Sequence, residues 1–212
     1  MMTHVVFDFD GTLADSLGAI VQLYNALAEK SGYRPLTADN LEELRALSIL
    51  DRCKRMGIPP YHLPSLAVQM GRNLRSAMTS IPFHEGIPEL LRDLKARGME
   101  LFILSSNKEE NIRAFLKHQA AEHLITGFHC SSSLFGKARM LRALMKANRL
   151  RPDQLVYVGD EHRDIVACKE AGVRVIAVRW GADADSRLRE AGPDFLADTP
   201  ADILACVSRW ST

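Results

Sequence analysis

Four short apolar runs, each too continuous to have one wet face, set the limits on what this chain can become. They are "HVVFDFD" (4–10), "ELFILSS" (100–106), "LVYVGD" (155–160) and "VRVIAVRW" (173–180). A strand with one face in water alternates apolar and polar residues, whereas an unbroken apolar run suits a parallel strand covered on both sides. Weaker runs at "GFHCSS" (127–132) and "DFLA" (194–197) read as further strands. Helical patterns lie between them at 86–98, 107–120, 137–150 and 164–172. Asn107 followed by Glu110 predicts a capping box, and Gly98 and Gly172 suit helix C-terminal stops. Strands alternating with helices predict an α/β fold, a doubly wound (Rossmann-like) parallel sheet.

Residues 17–83 break that rhythm and read as helices only, at 17–32, 37–57 and 62–80. Their breaks fall at Gly32–Pro35 and Gly57–Pro60, with Pro82 near the exit. The expected organisation is therefore a core of 1–16 and 84–212 carrying an inserted all-helical cap domain, 17–83. An insertion at the carboxyl end of a strand overhangs the crevice where open α/β sheets bind ligands. There it can cover a substrate and exclude water.

Composition narrows the partners. A hydrophobic share of 47% over 212 residues supplies a real core, and a net charge of +1 without a long basic run implies neither nucleic acid nor an anionic membrane. No apolar stretch reaches membrane-spanning length, and a strand expected from His4 leaves no room for a signal peptide. Cys53, Cys130, Cys168 and Cys206 lie far apart with no CxxC, which suits reduced thiols in a cytoplasm.

The first strong run ends in two carboxylates, Asp8 and Asp10. Like charges crowded at the end of a buried strand repel and lose hydration, so a cation or a shared proton is called for. Three further elements follow in order: Ser105 ending the second strong strand, Lys137 opening a helix, and "GDEHRD" (159–164) ending another strand. In a parallel sheet all four can converge on one edge. Singly each has an ordinary explanation. Ser105 could cap the next helix, Lys137 could be a solvated helix residue, and Asp164 could be a first-turn acid favoured by the helix dipole. Together they make a strong combined signal.

With these residues in view, the chain resembles the haloacid dehalogenase superfamily, in its phosphoglycolate phosphatase-like branch with a helical cap. "DFDGTLADS", "FILSSN", "LFGKARML" and "GDEHRD" resemble its four motifs, and "FHEGIPELLRDLKARG" and "AVRWG" extend the likeness over nearly the whole chain. The resemblance implies Asp8 as nucleophile, Asp10 as acid and base, and Ser105 and Lys137 on the phosphoryl oxygens. It implies Mg²⁺ held by the Asp8 carboxylate, the Asp10 backbone carbonyl and Asp160, with Asp164 on a metal-bound water or steadying Lys137. Gly11 lets the chain turn and approach the substrate, Thr12 braces the loop or orients Asp10, and backbone N–H groups around Gly11 and Ser106 add donors beside Asn107. One departure is "GKAR", where proline often follows the lysine. Asp10 argues against dehalogenation, because a halide leaves without a proton.

The expected activity is Mg²⁺-dependent hydrolysis of a small phosphorylated metabolite through an aspartyl-phosphate, with 2-phosphoglycolate the leading specific candidate. A phosphosugar mutase uses the same core residues, and a ligand-binding regulator could keep the fold without the chemistry. Elsewhere the ordinary readings stand. His62, His84 and His162 are expected at the surface or in packing. Cys168, Met70 and Met78 are expected in cores. Arg52, Lys54 and Arg55 form either a solvated helix face or an anchor for a substrate anion.

Overall fold

The computed structural model describes residues 1–131 and 136–211. Six parallel strands form one sheet in the order β3-β2-β1-β4-β5-β6. They are β1 (His4–Phe7), β2 (Glu100–Ser105), β3 (Gly127–Cys130), β4 (Leu155–Gly159), β5 (Arg174–Val178) and β6 (Phe195–Ala197). β1 pairs with β2 on one side and β4 on the other, Phe7 lying opposite both Ile103 and Val158. The chain therefore winds outward in both directions from β1, and the crevice at its carboxyl end is the switch point of the sheet.

Both faces are buried, as the unbroken apolar runs require. Val5, Phe7, Leu101, Ile103, Val156 and Val158 pack on one side with α5 (Ile87–Ala96), α6 (Glu109–His118) and α10 (Pro200–Trp210). Val6, Phe102, Leu104 and Tyr157 pack on the other with α7 (Lys137–Ala147), α8 (His162–Ala171) and α9 (Asp185–Ala191). Between β1 and β2 come only helices: α1 (Leu17–Ser31), α2 (Ala38–Arg45), α3 (Ile49–Met56) and α4 (Leu63–Ala77), followed by α5. Tyr24, Ala28, Leu44, Cys53, Met56 and Ile58 form a small separate core, while Leu74 and Met78 join the main one. The outgoing and returning segments run together, with Asp15 N–H donating to the Pro82 carbonyl (3.0 Å) and His84 N–H to that of Leu13 (2.9 Å).

Several boundaries differ from expectation for local reasons. β1 stops at Phe7 because the next residues turn sharply, Leu13 and Ala14 N–H both reaching the Phe9 carbonyl at 3.0 Å. The expected helix 37–57 is two helices, since Ser48 starts a new one by accepting from Asp51 N–H (3.1 Å). The capping box at Asn107 does not form: α6 begins after Lys108, and the Asn107 side chain is engaged elsewhere. The helices α9 and α10 were not expected, although Thr199 and Asp202 make a capping box for the latter. Ser132, at the end of the expected run 127–132, lies outside the described residues. Among the described residues no helix is long and apolar enough to cross a membrane.

Two arginines lash the helical segment to the loop that follows β5. Arg52 pairs with the buried Asp183 carboxylate, and Arg45 donates to the carbonyls of Gly181 (2.8 Å) and Ala182 (3.3 Å). Arg52 is thus neither a solvated face nor a substrate anchor. Arg55 does stay exposed, paired with Glu43. Cys168 and Met78 are core residues, and Met70 packs against the small helical core.

Candidate active site

The spacing of the two leading carboxylates follows from the residue between them. Phe9 is fully buried, its ring edge-on to Phe115 at 5.0 Å, so Asp8 and Asp10 both line the cavity above the sheet while Phe9 pins the loop from below. Burial of such a ring contributes roughly 1.5–3 kcal/mol, which steadies the loop against the repulsion of its neighbours.

Asp8 sits just past β1, its backbone N–H on the Val158 carbonyl (2.8 Å) and its Oδ1 accepting from Phe9 N–H (2.7 Å). Its other oxygen receives the Lys137 ammonium, which also contacts Asp164 and lies 3.3 Å from the Tyr157 hydroxyl. Burial works against the charge of Lys137, yet Asp164 and Asp8 outweigh it and hold the ammonium above its ordinary pKa. Asp160 is fixed from both sides, Oδ1 accepting from the Thr12 hydroxyl (2.7 Å) and Oδ2 from Ala182 N–H (2.7 Å). A Cβ at Gly11 or at Gly181 would strike the Asp160 side chain, and Gly11 also has φ +76°. Burial, then the charges of Glu161, Asp8 and Asp164, push the Asp160 carboxyl well above its usual pKa.

Oxygens of Asp8, Asp160 and Asp164 lie within 4.8 Å of one another, all buried. Lys137 pairs with two of these buried carboxylates, Asp8 and Asp164, and neighbouring Glu161 is paired with Arg163. An all-oxygen donor set with excess negative charge fits a hard divalent cation.

Asp10 differs from these. Its Oδ2 accepts from Asn107 Nδ2 (2.8 Å), while Oδ1 is buried without a hydrogen-bond partner. Burial and the nearby Asp8 charge raise its pKa to about 6, against the pull of Asn107 and Ser16. Ser105, ending β2, accepts from Asn107 N–H (3.1 Å), which leaves its own O–H to donate into the cavity.

The cavity above these groups has a volume of about 480 Å³. Its floor includes Asp8, Asp10, Ser105, Ser106 and Asn107, and its far wall is apolar, with Leu17 and Ile20 of α1 and Leu66, Met70 and Leu74 of α4. Arg72 and Lys108 line it too.

The expected residues therefore gather at one sheet edge, with two corrections. Thr12 is fully buried and serves Asp160, not substrate or Asp10. The Gly11 N–H is engaged by the Ala14 carbonyl (3.0 Å), so Gly11 contributes room and not a phosphoryl donor. His162 lies outside this cavity, its N–H on Asp183 Oδ2 (2.7 Å). His84 packs on Trp180 at 6.0 Å, with its pKa lowered by burial. Sequence reasoning missed Tyr157, Glu161, Arg163, Asp183 and Asn111. Asn111 alone carried a signal, an amide one helical turn beyond Asn107.

Comparison with known proteins agrees with this geometry. A family model for haloacid dehalogenase-like hydrolases matches residues 5–178. The chain is 35% identical over 208 residues to a phosphoglycolate phosphatase of Synechococcus elongatus, covering 98% of both. It resembles in fold a predicted phosphatase from Clostridium acetobutylicum, with TM-score 0.85, 18% identity and 99% of each chain covered. A haloacid dehalogenase-like hydrolase from Streptococcus pneumoniae gives TM-score 0.82 at 21% identity, covering 97% of this chain and 98% of that one.

Proposed function

The chain belongs to the haloacid dehalogenase-like hydrolase family, and from that premise we propose that it is a Mg²⁺-dependent phosphomonoester hydrolase working through an aspartyl-phosphate on Asp8. The observation that carries this reading is the pairing of unlike carboxylates at one cavity floor. Asp8 lies against an ammonium, and Asp10 has its pKa raised to about 6. One is suited to attack and the other to handle protons.

In the first half-reaction an Asp8 oxygen bonds to phosphorus as the ester P–O bond breaks, and Asp10 gives its proton to the leaving alkoxide. In the second, Asp10 takes a proton from the water that attacks the aspartyl-phosphate, releasing phosphate and restoring Asp8. The Ser105 hydroxyl and the Lys137 ammonium meet the charge on the phosphoryl oxygens. Asp8, Asp160 and Asp164 are the side chains suited to hold Mg²⁺, alongside the Asp10 carbonyl. Bound there, Mg²⁺ supplies positive charge to the phosphoryl group and lets two anions approach.

Residues 17–83 serve in this reading as the cap, whose α1 and α4 wall excludes water from the site. The favoured substrate is a small phosphorylated metabolite, with 2-phosphoglycolate first because of the Synechococcus relative. Its carboxylate would find Arg72 and Lys108 at the cavity edge. Four free cysteines suit a cytoplasmic enzyme. Neither a mutase nor a binding regulator is favoured: the Synechococcus relative is a phosphatase, and a pure binder has no use for an acid at Asp10. The test is phosphate release from a panel of small phosphomonoesters with Mg²⁺ or chelator, with Asp8→Asn alongside. Metal-dependent release lost in that variant is expected. No release from any ester by folded, metal-supplied protein overturns the reading.

A further inference from the structure

A line of side-chain amides leaves Asp10 and ends on the cap helix. Asn107 Nδ2 donates to Asp10 Oδ2 (2.8 Å), Asn111 Nδ2 donates to Asn107 Oδ1 (2.9 Å), and the same Asn111 nitrogen donates to the Gly71 carbonyl within α4 (3.1 Å). Asn111 is 1% exposed, and its Oδ1 has no hydrogen-bond partner. A buried amide in the first turn of a helix that leaves an oxygen orphaned is costly, so the bonds its nitrogen makes must matter more than that loss.

The direction of the line is not a matter of choice. Lys108 N–H donates to Asn107 Oδ1 (2.8 Å), and a backbone N–H can only donate. Asn107 must therefore present its oxygen to Lys108 and its nitrogen to Asp10. At the other end the Gly71 carbonyl can only accept, so Asn111 must present its nitrogen. Two backbone groups thus orient both amides. The consequence reaches the carboxyl: the Asn107 amide holds Asp10 Oδ2 and so fixes how the carboxyl sits at the cavity floor.

We propose that Asn111 is a positioning residue for the acid–base carboxylate, holding Asn107 so that the Asp10 carboxyl keeps its place at the cavity floor, and tying that placement to the seating of α4 over the site. It touches neither substrate nor the reacting atoms. The proposal rests on the reading of Asp10 as the acid. When α4 is seated, Asn111 is held between Gly71 and Asn107. When α4 lifts, Asn111 loses one of its two acceptors and the amide line loosens.

The test is kcat/KM, which reports steps up to leaving-group departure, for an alkyl and an aryl phosphomonoester. 2-Phosphoglycolate needs the proton; 4-nitrophenyl phosphate leaves well without it. Asn111→Leu removes the donors at similar size, and Asn111→Ser serves if that variant folds poorly. The alkyl ester should lose on the order of 10-fold and the aryl ester about 2-fold or less. Amide exchange in 63–77, measured without substrate, should speed up in the same variants. Equal losses on both esters, or no loss on either, reduce Asn111 to packing and overturn the proposal. Unchanged exchange in 63–77 overturns its link to α4. Failure of the parent protein to hydrolyse any ester is a different result, and overturns the phosphatase reading first.

Discussion

Lys137→Met is the substitution whose cost can be worked most directly from the structure. The ammonium is 5% exposed and contacts Asp8 and Asp164, themselves buried, with Tyr157 as a third neighbour. Methionine keeps the stem and removes the charge, leaving three clustered carboxylates with no counter-charge inside the cluster. Breaking a buried pair by removing one partner costs about 3–5 kcal/mol, and Lys137 serves two partners, so the upper half of that range applies in chelator. For a chain of this size, a loss of 1 kcal/mol lowers Tm by roughly 2–4 °C, which makes the expected fall about 8–20 °C. Part of this charge can be removed by substitution. Lys137→Met with Asp164→Asn should melt above Lys137→Met alone, so the double-mutant cycle should be strongly non-additive. Mg²⁺ should raise the Tm of Lys137→Met more than that of the parent, because the site is then more negative. Turnover should fall by about 10²–10³, as for loss of one fixed donor to a developing oxyanion. Differential scanning calorimetry in chelator and in Mg²⁺ reads all the stability terms. A Tm within a degree or two of the parent's, or strict additivity with Asp164→Asn, would refute the claim that this ammonium neutralises the cluster.

Other perturbations test separate parts of the argument. Arg52→Leu cuts the half-buried tie to Asp183 and its bonds to the carbonyls of Leu47 (3.0 Å) and Arg45 (3.0 Å), and should cost about 1–3 kcal/mol by urea denaturation. Gly181→Ala puts a methyl against Asp160, so calorimetric titration should show weakened Mg²⁺ binding even where far-UV circular dichroism is unchanged. Asp10 has a folded pKa of about 6 against an ordinary value of 3.8, so its proton favours folding below about pH 4, and that contribution is lost as pH rises through about 6. In chelator, Asp10→Asn should therefore exceed the parent in stability by about 3 kcal/mol near pH 7.5 and come within about 0.5 kcal/mol of it near pH 4. Phe9→Ala, which removes the anchor beneath the loop, should cost about 3–5 kcal/mol.

What could be read from the sequence was what local chemistry determines. The near-continuous apolar runs at 4–10 and 155–160 gave away parallel strands because few polar residues interrupt them, and Asp8, Ser105 and Asp160 follow from strand ends. Partners set by tertiary placement were not legible. Thr12 belongs to Asp160, 148 positions away, and Arg52 to Asp183, 131 positions away, and no local pattern encodes such pairings. The Asn107 misreading has the same origin: an Asn before a helix is ordinarily a cap, and only the arrival of Asp10 and Asn111 gives its amide other work. Tyr157 looked like any strand aromatic until its hydroxyl was found beside Lys137.

β1 is the first strand made and the innermost in the sheet, and that has a bearing on how the molecule comes into being. Its neighbours begin at residues 100 and 155, so during synthesis the segment bearing Asp8 is made well before either of its pairing partners. Over the same interval Tyr24, Leu44, Cys53 and Met56 have already emerged and can gather into their own small core. The helical segment is free to form early, while Asp8, the proposed nucleophile, has neither Lys137 nor Asp160 beside it. A nascent or truncated chain thus has no reactive centre to misuse, and competence for phosphoryl transfer arrives only when β4 closes against β1.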